Sequence, residues 1–359
     1  MKSPLINAYW KSCIFVVLLL ACQQEIHWDK EQIVQLYEVA TIAGRDSAGI
    51  KDGDTSIAVL NRPICVAMDA AGNIYVTDRS SDRIRMVAPN SLVSTIAGRS
   101  RGFADGNAAE AMFSNPAGMV VDGSGNLYIS DKENHSIRML SVNGQVSTIA
   151  GNGTTGTTDG VGSAARFRSP HGITLDGAGN IYVADEGNHR IRKITPQGEV
   201  STLAGSRRGF ADGSGAAAQF NDPIDITTDN SGNLYVADRD NHRIRKIDPS
   251  GMVTTLAGTD SAGYVDGNGS SARFSFPQGV AIDRNGNVYV ADSENHRIRK
   301  VNPNGQVSTL AGNGVPGFAD GTRADAQFQD PRGIIIDREQ KFLYIADHDN
   351  SRIRRIALQ

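Results

Sequence analysis

The chain has 359 residues, 39 of them glycine, only 6% aromatic residues, and a formal net charge of −3 with acids and bases interspersed. That much glycine calls for many tight turns, because glycine reaches positive φ without a Cβ clash. No basic tail or basic block occurs, which argues against nucleic acid as a partner. Length alone suggests two domains, but repeat and all-β architectures often exceed that size as one unit.

Residues 1–21 read as a signal segment. Lys2 and Lys11 give a positive start, and Cys13 to Leu20 form an apolar run too short to span a bilayer. The run ends in Leu19-Leu20-Ala21-Cys22, which resembles the lipobox of bacterial lipoproteins. The resemblance implies cleavage before Cys22, lipidation of that cysteine and anchorage to a bacterial membrane. Gln23, in place of an inner-membrane retention Asp, favours the outer membrane. Processing removes Lys2, Lys11 and Cys13, which takes the formal charge from −3 to −5. With Cys22 acylated, Cys65 is then the one free thiol, so no internal disulfide forms and stability rests on packing. Residues 22–37 serve as a lipidated tether, and residues 38–359 form the folded domain.

From residue 38 onward the chain repeats itself. The segment Gly179-Asn180-Ile181-Tyr182-Val183-Ala184-Asp185 recurs with its Tyr at 75, 128, 182, 235, 289 and 344, a period of about 54 residues. Pro170 to Asp176 precedes it, while Arg190 to Ile194 and Val200 to Gly205 follow. Each segment is short, rich in β-branched residues and bounded by Gly, Pro, Asn or Asp, which gives four strands per repeat. Short turns at Gly177–Asn180 and Pro196–Gly198 join consecutive strands, whereas a much longer stretch leads to the next repeat. Such a stretch can run from the outer edge of one sheet to the centre of the next. Four-stranded sheets arranged radially are propeller blades.

The chain ends agree with that arrangement. The sixth copy stops after Arg352–Ile356, one strand short, and the missing strand stands at the front as Val39–Gly44. Pairing the two closes the ring and removes an open edge. The expected fold is therefore all-β, a six-bladed propeller closed by its N-terminal strand.

Pro-x-Gly-Ile, Gly-Asn-x-Tyr-Val-Ala-Asp and Asn188-His189-Arg190-Ile191-Arg192 together resemble the NHL repeat over residues 38–357. Copy one departs at Ser81-Asp82, copy two at Ser136 and copy six at Ser351. The resemblance implies the fold but not an activity, since that family includes RNA binders, cell-surface interaction modules and a few enzymes.

Residues present in every copy are expected to build blades. The Asp that ends strand two (78, 131, 185, 238, 292, 347) should accept hydrogen bonds from the Asn-His-Arg turn or a nearby Arg. His135, His189, His242 and His296 occupy equivalent places in four blades, too far apart to share a metal. The Asp-Gly pairs at 52, 105, 159, 212, 266 and 320 carry too few oxygens for a calcium site. They read as turns before an apolar plug: Phe113, Phe167, Phe220, Phe274 or Phe328, with Ala58 or Leu60 near the matching place in copy one.

A site needs positions that differ between copies near the axis. The start of strand one supplies them: His171, Asp225, Gln278 and Arg332 are expected around the channel rim as a candidate ligand-binding set. Arg99, Arg101, Arg207 and Arg208 could add positive charge on the same face. The reading is a monomeric, membrane-anchored interaction module without cofactor or metal, binding a protein, peptide or glycan in the cell envelope. The alternative is a metal-dependent hydrolase or lyase at the channel, of the gluconolactonase or peptide-amidating kind. For it, only His171 and Asp225 offer ligands.

Overall fold

The computed structural model describes residues 38–45 and 47–358. The signal segment, Cys22 and the tether lie outside the described residues. Six antiparallel sheets each place the sequence-first strand at one edge, with strands two, three and four following in order. Blade 3 shows the pattern: Pro170–Leu175, Ile181–Asp185, Arg190–Ile194 and Glu199–Ala204. Neighbouring inner strands pack shoulder to shoulder, and a Cβ on Gly333 of blade 6 would come within 2.7 Å of the Cys65 Cα in blade 1. Blade 6 is completed by Val39–Gly44, which pairs with Arg352–Ala357, so the N-terminal strand closes the ring.

Four blades carry a fifth, two-residue strand beyond the four that the pattern predicts. In blade 3 it is Gly160–Val161, paired with Glu199 and Val200 of the outer strand. The glycine of each Asp-Gly pair makes it possible: Gly160 adopts φ 149°, which turns the connection onto the blade edge. In blades 5 and 6 the same contact is a single bridge, Gly267 with Val307 and Gly321 with Val39.

Those Asp-Gly pairs do more than turn the chain. The largest fully buried side chains are six arginines, Arg85, Arg138, Arg192, Arg245, Arg299 and Arg354, all with no exposed surface. Each is the second Arg of the Arg-Ile-Arg motif or its counterpart. In blade 3, Arg192 donates from Nη1 to Asp185 Oδ2 (2.9 Å) and to the Arg166 carbonyl (2.8 Å). Its Nη2 donates to Asp159 Oδ1 (2.7 Å) and to the Thr158 carbonyl (3.0 Å). Asp159 also accepts from the backbone N–H and hydroxyl of Thr202, which ties the connection to the outer strand. Phe167, the buried plug, lies under the guanidinium at 5.0 Å. In blade 1, Leu60 is the fully buried residue at the plug position.

The Asp that ends strand two is the other half of this unit. Asp185 Oδ1 accepts from the Arg168 N–H (2.8 Å), and Oδ2 accepts from Asn188 Nδ2 (2.8 Å) as well as from Arg192. Burial pushes its carboxyl up to about 6, and these donors hold it ionised at neutral pH. The expected acceptor role is present, and the chief donor is the strand-three arginine.

The histidines join one blade to the next. His135, His189, His242 and His296 all take left-handed backbone, φ 49–55°, a region that His enters more readily than most residues. Each accepts at Nδ1 from a backbone N–H in the following blade: Ser169 (3.1 Å), Asp222 (3.1 Å), Phe276 (3.2 Å) and Asp330 (3.3 Å). Asp82 and Ser351 do the same for Asn115 (2.7 Å) and Arg62 (3.4 Å). The departures from the motif at copies one and six thus retain a side-chain acceptor, and six such bonds run round the ring. The six recipients are themselves left-handed, φ 49–56°, although each precedes a proline.

Two outcomes follow from these contacts. Asp185→Ala strands a buried guanidinium, so chemical unfolding should show a loss of about 3–5 kcal/mol. Asp159→Ala removes a half-exposed partner and should cost only about 1 kcal/mol; equal losses would contradict the burial argument. Burial holds His242 below its ordinary pKa, Asp240 opposing and Arg243 reinforcing the shift. The unfolded chain therefore takes up a proton that the folded His242 refuses. Stability from this group is complete above about pH 6.5 and is lost as pH falls through the lower folded value, by at most about 1.4 kcal/mol per pH unit. His242→Asp, which copies the Asp82 staple, should remove this one contribution, so its stability curve should diverge from that of the unmodified chain below about pH 6.5; parallel curves would remove His242 from the account.

Candidate functional site: a guanidinium-rimmed pocket at the channel mouth

The start of strand one pairs with the end of strand two, as Pro170 does with Asp185, so the variable residues beside each share one end of the propeller. Six residues follow the strand-two Asp and open a short turn: Arg79, Lys132, Glu186, Arg239, Ser293 and His348. Together with the strand-one starts they form an asymmetric set on a symmetric frame.

The structure brings three of the four expected rim residues to this end. His171 is buried, and desolvation followed by Lys132, Arg79, Arg332 and Arg239 drives its pKa well below the ordinary value. Arg332 donates from Nε (2.9 Å) and Nη2 (2.6 Å) to Asp330 Oδ2, and Gln278 Nε2 reaches Asp330 Oδ1 at 3.4 Å. Asp225 stands elsewhere. It lies one residue deeper, facing a channel of about 250 Å³ that Cys65, Met119 and Ile226 also line. There its Oδ2 accepts from the Val280 N–H of the next blade (2.9 Å), and burial pushes its carboxyl up to about 7. Cys65 is driven up to about 12 by burial and by the nearby Asp225, so it is not a reactive thiolate. His171 and Asp225 therefore sit at different depths and do not converge as metal ligands.

Two clusters divide the mouth. Over blades 2 to 4 the charges satisfy one another: Lys132 pairs with Glu186 (2.7 Å), and Arg239 with Glu186 (3.3 Å), Asp222 (3.0 Å) and Asp240 (2.7 Å). Over blades 6, 1 and 2 a pocket of about 550 Å³ opens between Arg62, Arg79, Arg101 and Arg332, with Asp82, Asp330, Asp349, Asn115, Ser80 and His348 completing the wall. Of the loop arginines, Arg101 joins this wall and donates to Ser114 Oγ (3.1 Å), whereas Arg99 pairs with exposed Glu110. Arg208 donates to Asn221 Oδ1 (2.8 Å), and Arg207 lies beside the Gln219 amide.

Within the pocket Arg79 donates from Nε to Asn115 Oδ1, and Arg62 stands 3.8 Å from Asp349. His348 is 3% exposed, and its Nδ1 lies 3.0 Å from the Pro63 carbonyl. Desolvation and then Arg332 push its pKa down to about 3, so the ring is neutral. Asp330, His348 and Asp349 offer three ligand atoms within 4.8 Å of one another. Arg332 occupies Asp330 and Arg79 also bears on His348, so a divalent cation there would face two guanidinium groups. His348, Arg79 and Asp330 were not found in the sequence pattern. The signal available was the variable position after each strand-two Asp, where His348 and Arg79 stand.

Comparison with known proteins supports the repeat. Residues 113–139, 167–194, 220–247 and 274–307 match the NHL repeat family. Protein SUPPRESSOR OF QUENCHING 1 of Arabidopsis thaliana is 33% identical over 86% of this chain, which spans 32% of that protein. NHL repeat-containing protein 2 of Homo sapiens is 28% identical over 80% of this chain and 45% of its own length. The chain thus spans under half the length of these curated relatives. An auxiliary nutrient binding protein from Bacteroides thetaiotaomicron superposes with a TM-score of 0.69 at 19% identity, covering 89% of this chain and 76% of that one, a likeness of fold. The chain carries NHL repeats folded as a six-bladed β-propeller.

Proposed function

We propose that the chain is a ligand-binding NHL-repeat propeller held in the bacterial cell envelope by a lipid on Cys22, and that the pocket over blades 6, 1 and 2 is its binding site. The observation that carries the reading is the pocket itself: four guanidinium groups around one concavity with a buried, neutral His348 in its wall. Unlike polar groups converging in a cavity on a rigid frame are suited to recognition. One structural neighbour of this fold is named as an auxiliary nutrient binding protein, which agrees with a binding role. An anionic group on a glycan or peptide is the ligand feature that such a rim favours. The Leu19-Leu20-Ala21-Cys22 sequence supports the anchor.

Calorimetry of the full chain against acidic and neutral glycans and peptides should find binding confined to acidic ligands. Arg79→Ala should weaken it at least about tenfold, the cost of one charge-assisted bond, with the melting temperature unchanged. Binding indifferent to Arg79 would place the site elsewhere. In a bacterial host, Cys22→Ala should abolish incorporation of labelled palmitate and release the protein from the membrane fraction; retention would dismiss the lipid anchor.

A further inference from the structure

We propose that the pocket recognises a hydroxycarboxylate, one carboxylate with a neighbouring hydroxyl, which is the chemistry of an acidic sugar. This rests on the reading that the pocket is the binding site, and it names the ligand class.

The charge in the wall sets the first requirement. Four guanidinium groups face three carboxylates, Asp82, Asp330 and Asp349, which leaves one positive charge. That balance suits a monoanion. A phosphate dianion would overcompensate it and would bring its oxygens against acidic side chains. Arg79 is the natural partner: its Nε is held by Asn115, and its two terminal nitrogens have no hydrogen-bond partner among the described residues. They present the paired donors that bind a carboxylate in bidentate fashion.

His348 sets the second requirement. The Pro63 carbonyl can only accept, so the proton of the neutral ring sits on Nδ1, and Nε2 is left as a bare lone pair. Nothing among the described residues donates to Nε2. The acid beside it, Asp349, is a further acceptor at 3.9 Å. His348 lines the pocket, so this acceptor meets whatever fills the cavity, and an anion alone would bring it no donor. A hydroxyl satisfies it, and a second hydroxyl can donate to Asp349 or Asp82. Among the described residues no Phe, Tyr or Trp lines the pocket to stack on the apolar face of a neutral sugar. The carboxylate therefore anchors the ligand, while the hydroxyl distinguishes it from a simple acid.

The test is calorimetry of the full chain with galacturonate, glucuronate, galactose, propionate, inorganic phosphate and an oligogalacturonide. A uronate should bind at least about tenfold tighter than propionate, galactose or phosphate. The oligomer exceeding the monomer points to a glycan chain as the source, and equal affinities point to the free acid. His348→Asn keeps a donor for Pro63 and removes the Nε2 acceptor, so it should reduce uronate affinity to the level of propionate while leaving propionate unchanged. Should that variant fold poorly, the ligand series on the unmodified chain still decides. Propionate equal to a uronate, or phosphate binding in place of both, overturns the hydroxycarboxylate assignment and leaves the pocket standing as an anion site. No binding by any anion overturns the pocket reading as well.

Discussion

In each blade a guanidinium that never meets water is held by carboxylates delivered from two directions. For Arg192 these are Asp185, seven residues back on the adjacent strand, and Asp159, 33 residues back in the connection from the previous blade. Burying an arginine is costly unless its donors are met, so the interaction is demanding as well as stabilising. It dictates that the connection folds along the blade edge, that the plug beneath the guanidinium is apolar, and that strand two ends in Asp. The remaining structure hangs on that unit.

The second organising feature is the circle of bonds between blades. Hydrophobic contact between neighbouring sheets is non-directional and would tolerate sliding. The left-handed corner residue removes that freedom, because its side chain reaches one particular N–H in the next blade. Histidine, aspartate and serine all fill this place, as His189, Asp82 and, at the longest distance, Ser351 show. What the position requires is a short acceptor on a backbone with positive φ. The final bond, Ser351 to Arg62, joins residues 289 apart in sequence and completes the ring.

These repeated duties leave few positions free for anything else. The strand-two Asp, the Asp-Gly carboxylate, the strand-three arginine and the corner histidines are all occupied structurally. Specificity is left to the residue after strand two and to the first residues of strand one, which differ from blade to blade and stand near the channel mouth. There the pairing of Lys132, Glu186 and Arg239 closes one side. The other side keeps Arg79 and His348 available, and the asymmetry of the mouth follows.

The sequence by itself determined the number of blades, their four main strands, the closure by Val39–Gly44 and the acceptor role of the strand-two Asp. All of these depend on local period, turn chemistry or simple counting of strands. It also marked His171, Gln278 and Arg332 as rim positions, because register along one strand is short-range information. Tertiary structure alone decided that Arg192 and its counterparts are buried, since alternation puts Arg190 and Arg192 on the same face of the strand and only packing makes one fully buried and the other half-buried. It alone decided that Asp225 points down the channel to Val280 rather than into the mouth. It also decided the pocket, because His348 meets Pro63 across 285 residues of chain and only closure of the ring brings the first and last blades together.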